Sequence, residues 1–359
     1  MIANLAQATA STLAAKAAVE ATGAASSAPA IALALAALSR TPAPPVAARC
    51  VANDAQPVRP STFEAVRQAA LGRYLGRTPS ACRAISLLHG RGCELHNDHV
   101  ALRSFADESC GSGLAFLESL FLPFGYAARS SIDIPGLPVN ARWYEPPSAT
   151  SWPKVFISEL RVAELPTEIA RLVRERVGNY YLPAGAGPTC AREALAAGDA
   201  LAIAGLMEAP PWASEFTAAD EALLRSLASM DGERASALEY CAWTLTHAHR
   251  WNHLTLLVNT LGAGSPAHSL AELNALLLSE GFALNRAGGT DGYTQGSAAQ
   301  RLEQSSTVAD SAVHTFGCGT QRRVPTAFLE LIERHDGFGA FLGANARGIF
   351  DSTSTLRRE

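Results

Sequence analysis

The sequence predicts an α+β fold with one main domain, and three observations carry that expectation. Helix-like and strand-like segments follow one another without regular β-α alternation, which argues against a doubly wound sheet. Comparing the chain with itself brings out no fixed-period repeat. A content of 48% hydrophobic and 17% charged residues is that of an ordinary packed globular chain, and 359 residues are enough for a well-buried core. The net charge of −4 and the lack of basic tracts interleaved with aromatics give no support to nucleic acid or an anionic membrane as a partner.

Residues 1–55 differ in kind from the rest. Ala, Ser and Thr dominate, and Glu20 is the sole acid before Asp54, set against Lys16, Arg40 and Arg49. That acid-poor, weakly basic composition is the signature of an organellar transit peptide, with a disordered Ala-rich extension as the alternative. The apolar run from Ala28 to Leu38 is too short to cross a bilayer. Thr41-Pro42-Ala43-Pro44-Pro45 reads as a linker, and residues 46–52 offer a processing region. The expected division is therefore a leader over 1–55 and a single domain over 56–359.

Within that domain, Ser61-Thr62 ahead of Phe63, Val66, Ala70 and Leu71 predicts a capped amphipathic helix. Pro166-Thr167 opens another, with Ile169, Leu172, Val173 and Val177 on one face and Gly178 at the stop. A third runs from Ala219 to Met230, and Ser269-x-x-Glu272 is a capping box for a fourth that ends at Gly281. Strand character marks residues 141–144, 155–160, 254–258 and 327–332. The stretch from Tyr181 to Trp212, rich in Ala, Gly and Pro, reads as a loop or lid. Seven scattered cysteines without a C-x-x-C pair form neither a disulfide framework nor a thiolate zinc site. No G-x-G-x-x-G or Walker loop supports a nucleotide cofactor.

Three islands carry chemistry. In His96-Asn97-Asp98-His99-Val100-Ala101-Leu102-Arg103, a strand places His99 and Arg103 on one face, about 13 Å apart at about 3.3 Å per residue. That spacing suits a metal-bound His99 and an Arg103 that grips the far carboxylate of an extended diacid in bidentate fashion. A core histidine beside an arginine in a structural ion pair accounts for the island equally well. In His247-Ala248-His249-Arg250-Trp251-Asn252-His253, the last histidine enters an apolar strand, while His247 and His249 lie in a polar approach where solvation explains them. In Phe328-Leu329-Glu330-Leu331-Ile332-Glu333-Arg334, Glu330 interrupts an apolar run, where a carboxylate needs a partner or a metal. A helix with Glu330 exposed fits the same letters, and Glu333 and Arg334 read as solvated. Together the islands can supply two histidines and one carboxylate from separate strands, the ligand set of mononuclear non-haem Fe(II) oxygenases.

The chain resembles the 2-oxoadipate dioxygenase/decarboxylase family, once known only as a domain of unknown function. The resemblance rests on His99-Val100-Ala101-Leu102-Arg103, Asn252-His253, Leu302 to Asp310, Val324-Pro325 to Glu330, and Gly348-Ile349-Phe350-Asp351-Ser352-Thr353. It spans roughly residues 62–353 and implies a vicinal-oxygen-chelate-like curved β-sheet enclosing a metal site, with peripheral helices. Phe328 to Arg334 is also similar to the metal-glutamate strand of 4-hydroxyphenylpyruvate dioxygenases. The implied metal ligands are His99, His253 and Glu330, the implied cofactor is Fe(II), and Arg103 is the implied clamp for the distal carboxylate. Gln304, Ser305, Ser306 and Thr307 are expected to line the pocket or back the ligands. The implied reaction uses a small 2-oxo-dicarboxylate and O₂, converting 2-oxoadipate to 2-hydroxyglutarate and CO₂, as in lysine breakdown. Plant members are plastid proteins, in keeping with the leader. Two alternatives stay open: a dioxygenase for a different 2-oxo acid, and a plastid regulatory or scaffold protein with a structural or vestigial metal site.

Overall fold

Apolar segments of the second and third chemistry-bearing islands become central strands of one mixed sheet, nine-stranded among the described residues. The computed structural model describes residues 26–39, 60–208, 212, 216–230, 234–286 and 291–343. In chain order the elements begin with helices α1 (Ala28–Ser39), α2 (Pro60–Arg77) and α3 (Pro79–Gly90). Strands β1 (Asn97–Asp107) and β2 (Gly111–Ser112), helix α4 (Gly113–Glu118) and strands β3 (Ala127–Ile132), β4 (Val139–Glu145) and β5 (Lys154–Arg161) follow. A helical stretch holds α5 (Thr167–Val177), α6 (Ala186–Ala197), α7 (Ala200–Leu206), α8 (Ala218–Met230) and α9 (Ala235–His247). The chain then forms β6 (His253–Leu257), α10 (Leu270–Ser279), β7 (Gln295–Ser297), β8 (Leu302–Ser306), the hairpin β9 (Ser311–Thr315) and β10 (Gln321–Pro325), and β11 (Phe328–Arg334).

The sheet order is β3-β4-β5-β1-β6-β11-β8-β7, with β2 paired to β1. It curls into a half-barrel. Strand β1 runs parallel to β5 and antiparallel to β6, and β11 runs parallel to β6. Central strands are buried on both faces, which explains why β5 and β11 read as near-continuous apolar runs. Helices cover one face and fasten to the strands through polar tips. Tyr74 of α2 donates to the Phe328 carbonyl at 2.5 Å, and the Trp243 indole of α9 donates to the Thr326 carbonyl at 2.7 Å.

The four predicted helices form within a residue or two of their expected ends. The Ser269 hydroxyl accepts from the Glu272 amide as a capping box requires, and Gly178 (φ 58°) and Gly281 (φ 76°) take the positive φ that ends their helices. All four predicted strands are present. The stretch expected as a loop or lid instead holds α6 and α7, because its Ala content outweighs its Gly and Pro.

Part of the segment expected as a leader is described. Residues 1–25 and 40–59, with the linker and the processing region, lie outside the described residues. Helix α1, however, packs on α2 and α3 with Ile31, Ala34 and Leu35 fully buried and Leu38 nearly so. Ser26 Oγ donates to the Leu75 carbonyl, and Gln68 Nε2 donates to Ser39 Oγ. Ala-rich composition serves a transit peptide and a packed helix alike. Burying Ile31, Leu35 and Leu38 is worth about 5–8 kcal/mol as an upper estimate, comparable to the net stability of a whole domain. A chain beginning at Val51 should therefore unfold about 10 °C or more below one beginning at Ser26. Equal midpoints in thermal unfolding would show that α1 contributes nothing to the domain.

Candidate metal centre

Strand register brings the three islands together. Directly opposed residues point to the same face of a sheet. His99 pairs with Thr255 and Ala101 with His253 across β1 and β6. Glu330 pairs with Thr255 across β11 and β6, and Arg103 pairs with Ser158 across β1 and β5. His99, Arg103, His253, Thr255 and Glu330 thus share the concave face of the half-barrel. All but Thr255, whose Oγ1 is 3.1 Å from His99 Nε2, line a pocket with Ala101, Leu102, Phe156, Ser158, Asn252, Gln304, Phe341 and Leu342.

Ligand atoms of His99, His253 and Glu330 all lie within 4.8 Å of one another, and all three residues are buried. Glu330 Oε2 is 2.9 Å from His253 Nε2 and 3.4 Å from His99 Nε2. The two imidazoles stand nearly perpendicular, with centroids 5.5 Å apart. Each ring is oriented through its other nitrogen. His99 Nδ1 donates to Asp98 Oδ1 at 2.9 Å, and His253 Nδ1 donates to Asn252 Oδ1 at 3.1 Å. Both bonds turn Nε2 toward Glu330, so that with Nδ1 as the donor each Nε2 lone pair would be available to a bound metal. Thr255 Oγ1 donates to Glu330 Oε2 at 3.2 Å and steadies the carboxylate.

The electrostatics fit a cation. Burial opposes ionisation of Glu330, but the two histidines overcome it and hold its pKa down to about 2. Burial lowers the pKa of His253 despite the attraction of Glu330. His99 also suffers burial, yet Glu330 and Asp98 together outweigh it and raise its pKa. The two rings differ because only His99 has a second carboxylate. An anionic oxygen and two imidazole nitrogens converging in an apolar, buried setting are a donor set for a divalent transition metal.

Asp98 can reach His99 because the β1–β6 register shifts between Asn97 and His99, a bulge that re-aims its side chain. Asp98 is itself held ionised well below the usual carboxylate range; burial works against this, and Arg334 with Lys154 prevails. Arg103 is 2% exposed, with its guanidinium carbon 4.9 Å above the Tyr240 ring and 5.1 Å above the Trp243 ring. The Asn252 amide lines the same pocket, and its buried Nδ2 has no hydrogen-bond partner among the described residues.

Of the four residues in and just after β8 expected to line the pocket or back the ligands, the two-residue period divides the set. Gln304 lines the pocket, and Ser306 stands opposite Glu330 in register. Ser305 points away and donates to Asn274 Oδ1 at 2.7 Å, while Thr307 Oγ1 accepts from the Leu329 amide at 3.0 Å. Of the four, Gln304 is the one among the pocket-lining residues.

Other expectations are also corrected. His247 and His249 are buried, not solvated. His247 Nε2 donates to the Pro325 carbonyl, and His249 bridges the Leu206 carbonyl and the Tyr181 hydroxyl beside Trp212. Arg334, expected at the surface, is buried against Asp98. Sequence reasoning missed Asp98, Asn252, Thr255, Phe341 and Leu342. Asp98 and Asn252 immediately precede His99 and His253, a spacing that could have drawn notice.

A second trio, Glu303, Glu333 and His335, also brings ligand atoms within 4.8 Å, but it is half-exposed and its groups have structural partners. His335 Nε2 meets Glu303 Oε2 at 2.8 Å, and Glu333 accepts from the Leu270 amide at the start of α10.

Comparison with known proteins gives a consistent set of relatives. A sequence profile of the family described as 2-oxoadipate dioxygenase/decarboxylase matches residues 84–353. The chain is 30% identical over 307 residues to a chloroplastic/amyloplastic 2-oxoadipate dioxygenase/decarboxylase of Oryza sativa subsp. japonica, covering 78% of this chain and 76% of that one. It is 30% identical to a chloroplastic one of Arabidopsis thaliana, covering 73% of this chain and 65% of that relative's length. The crystal structure of Oryza sativa hydroxyglutarate synthase in complex with 2-oxoadipate superposes with a TM-score of 0.65 at 27% identity, over 87% of this chain and 99% of that one. A putative glyoxalase superfamily protein of Ralstonia eutropha shares the fold, with a TM-score of 0.63 at 19% identity over 88% of this chain and 98% of that one.

Proposed function

The chain belongs to the 2-oxoadipate dioxygenase/decarboxylase family, and from that premise we propose that it converts 2-oxoadipate and O₂ to 2-hydroxyglutarate and CO₂ in a plastid, with Fe(II) as cofactor. The observation that carries this reading is the convergence of His99, His253 and Glu330 at one place in a pocket that also receives Arg103. The complex of the rice enzyme with 2-oxoadipate supports the substrate. The plastid locations in the names of both plant relatives support the address read from the leader.

His99, His253 and Glu330 would hold the metal. When bound, Fe(II) supplies open positions for the 2-oxo acid and O₂ and the redox chemistry of oxidative decarboxylation. Arg103 meets the distal carboxylate, and the Tyr240 and Trp243 rings keep its planar fork aimed into the pocket. Asn252 Nδ2 and Gln304 offer polar contacts to the oxygens of the bound acid. Ala101, Leu102, Phe156, Phe341 and Leu342 exclude water from the reacting carbon. The protein's contribution is thus placement of an extended diacid with one end at the ligand trio and the other at Arg103.

Full-length protein loaded anaerobically with Fe(II) should consume O₂ when given 2-oxoadipate, releasing one CO₂ and one 2-hydroxyglutarate per O₂, as atom balance requires. Metal binding without turnover would shift the substrate to another 2-oxo acid. Failure to bind metal would overturn the enzyme reading in favour of a scaffold.

A further inference from the structure

Arg334 occupies the end of β11, on the same face as Glu330 and four residues beyond it. Its side chain is 8% exposed, and its donors serve two masters. Nε and Nη2 grip both oxygens of Asp98 at 2.8 and 2.7 Å, the bidentate geometry of an arginine–carboxylate fork. Nη1 donates to the Ala340 carbonyl at 2.8 Å and the Phe338 carbonyl at 3.3 Å. The guanidinium also lies 5.3 Å from the Phe341 ring.

Each partner leads to the metal centre by a different route. Asp98 orients His99 through Nδ1. Phe341 stands edge-on to the His99 ring at 4.8 Å, packs on Trp143 and Phe156, and forms the pocket wall with Leu342. The segment 335–342 contributes a wall of the pocket yet has no regular secondary structure to hold it. Carbonyls fixed by one buried guanidinium take the place of a ladder.

We propose that Arg334 is a positioning residue that ties the Phe341–Leu342 wall of the pocket to the orientation of the metal ligand His99, through Asp98. One side chain thereby sets the ligand's ring and the shape of the cavity beside it. Displacing the wall loosens the Asp98 fork, and turning His99 strains the wall. The inference rests on the metal-centre reading, but not on the identity of the substrate.

Its test uses Co²⁺ as a probe on the full chain without substrate, so no turnover is needed. Arg334→Gln should weaken Co²⁺ binding by about 10–100-fold, the usual cost of losing a partner that orients a ligand, and shift the visible Co²⁺ absorption. Chymotryptic cleavage after Phe338 or Phe341 should speed up at least about tenfold, because the wall has lost its anchor. Arg334→Lys keeps a cation for Asp98 but cannot reach both partners. It should hold Co²⁺ to within about threefold of wild type while its wall is still cleaved faster. If Arg334→Gln does not fold, Asp98→Asn, which breaks the same fork, takes its place: Co²⁺ bound about 10-fold or more weaker with faster cleavage of the wall supports the tie, and unchanged affinity and cleavage overturn it. Lower thermal stability with unchanged Co²⁺ affinity, spectrum and cleavage would reduce Arg334 to a structural ion pair and overturn the proposal. Wild-type protein that binds no Co²⁺ would overturn the metal centre itself, a result separable from the first.

Discussion

His253→Ala should abolish both metal retention and O₂ uptake with 2-oxoadipate. The ring supplies one of three convergent donors, and its Nε2 lies 2.9 Å from Glu330 Oε2. Losing a partner that merely orients a ligand costs about 10–100-fold in metal affinity, so losing the ligand itself should cost more. A fall of at least about 10³-fold in kcat/KM corresponds to more than about 4 kcal/mol of transition-state stabilisation. Glu330→Gln should be as damaging, because it keeps the shape and removes the negative charge that two buried histidines face. The two substitutions are distinguishable without metal. His253→Ala leaves the carboxylate with His99 and Thr255 as partners, whereas Glu330→Gln leaves His253 without its anion and His99 with Asp98 alone. Metal content after dialysis and oxygen-electrode rates measure the outcome. Stoichiometric iron and undiminished uptake in His253→Ala would remove His253 from the ligand set.

The part of this site legible in the sequence is the part that depends on local spacing. His99 and Arg103 fall on one face of a strand by period two, and residues 254–258 and 327–332 carry strand character, with His253 entering the first and Glu330 inside the second, where a helix fits the letters too. Register was not legible, and it decides the rest. Because pairing sets Gln304 opposite Ile332 and Ser306 opposite Glu330, the intervening Ser305 must point to α10. Nothing in the letters of residues 304–307 reveals which alternate pair faces inward. Asp98 escaped notice because a strand without a bulge would have turned it away from His99. Arg334 escaped because its carboxylate lies 236 residues earlier, and a terminal Glu-Arg pair on a strand looks like a solvated end. Helix α1 lies beyond what composition resolves. Its composition was read correctly, but composition does not say whether an Ala-rich segment packs.

Arg103→Ala should cost about 2–5 kcal/mol in kcat/KM for 2-oxoadipate, roughly 30- to 5000-fold, because a charged, desolvated contact to the distal carboxylate is lost. The effect should divide between the two kinetic constants. Much of the contact is made equally in the bound substrate and in the transition state, so KM rises. The remainder appears in kcat, since the far end of the chain helps fix the reacting carbon. A substrate comparison separates the clamp from a general packing defect. 2-Oxohexanoate has the same chain length without the second carboxylate, so wild-type protein should favour 2-oxoadipate strongly and Arg103→Ala should level the ratio. Arg103→Lys should not restore it. An ammonium lacks the planar fork and cannot lie flat between the Tyr240 and Trp243 rings, which stand 4.9 and 5.1 Å from the guanidinium carbon. Because the metal ligands are untouched, iron content should stay at the wild-type level, distinguishing this loss from that of His253→Ala. If the preference for the diacid survives in Arg103→Ala, the distal carboxylate binds elsewhere in the pocket, and Arg103 serves only to fill the space against α9.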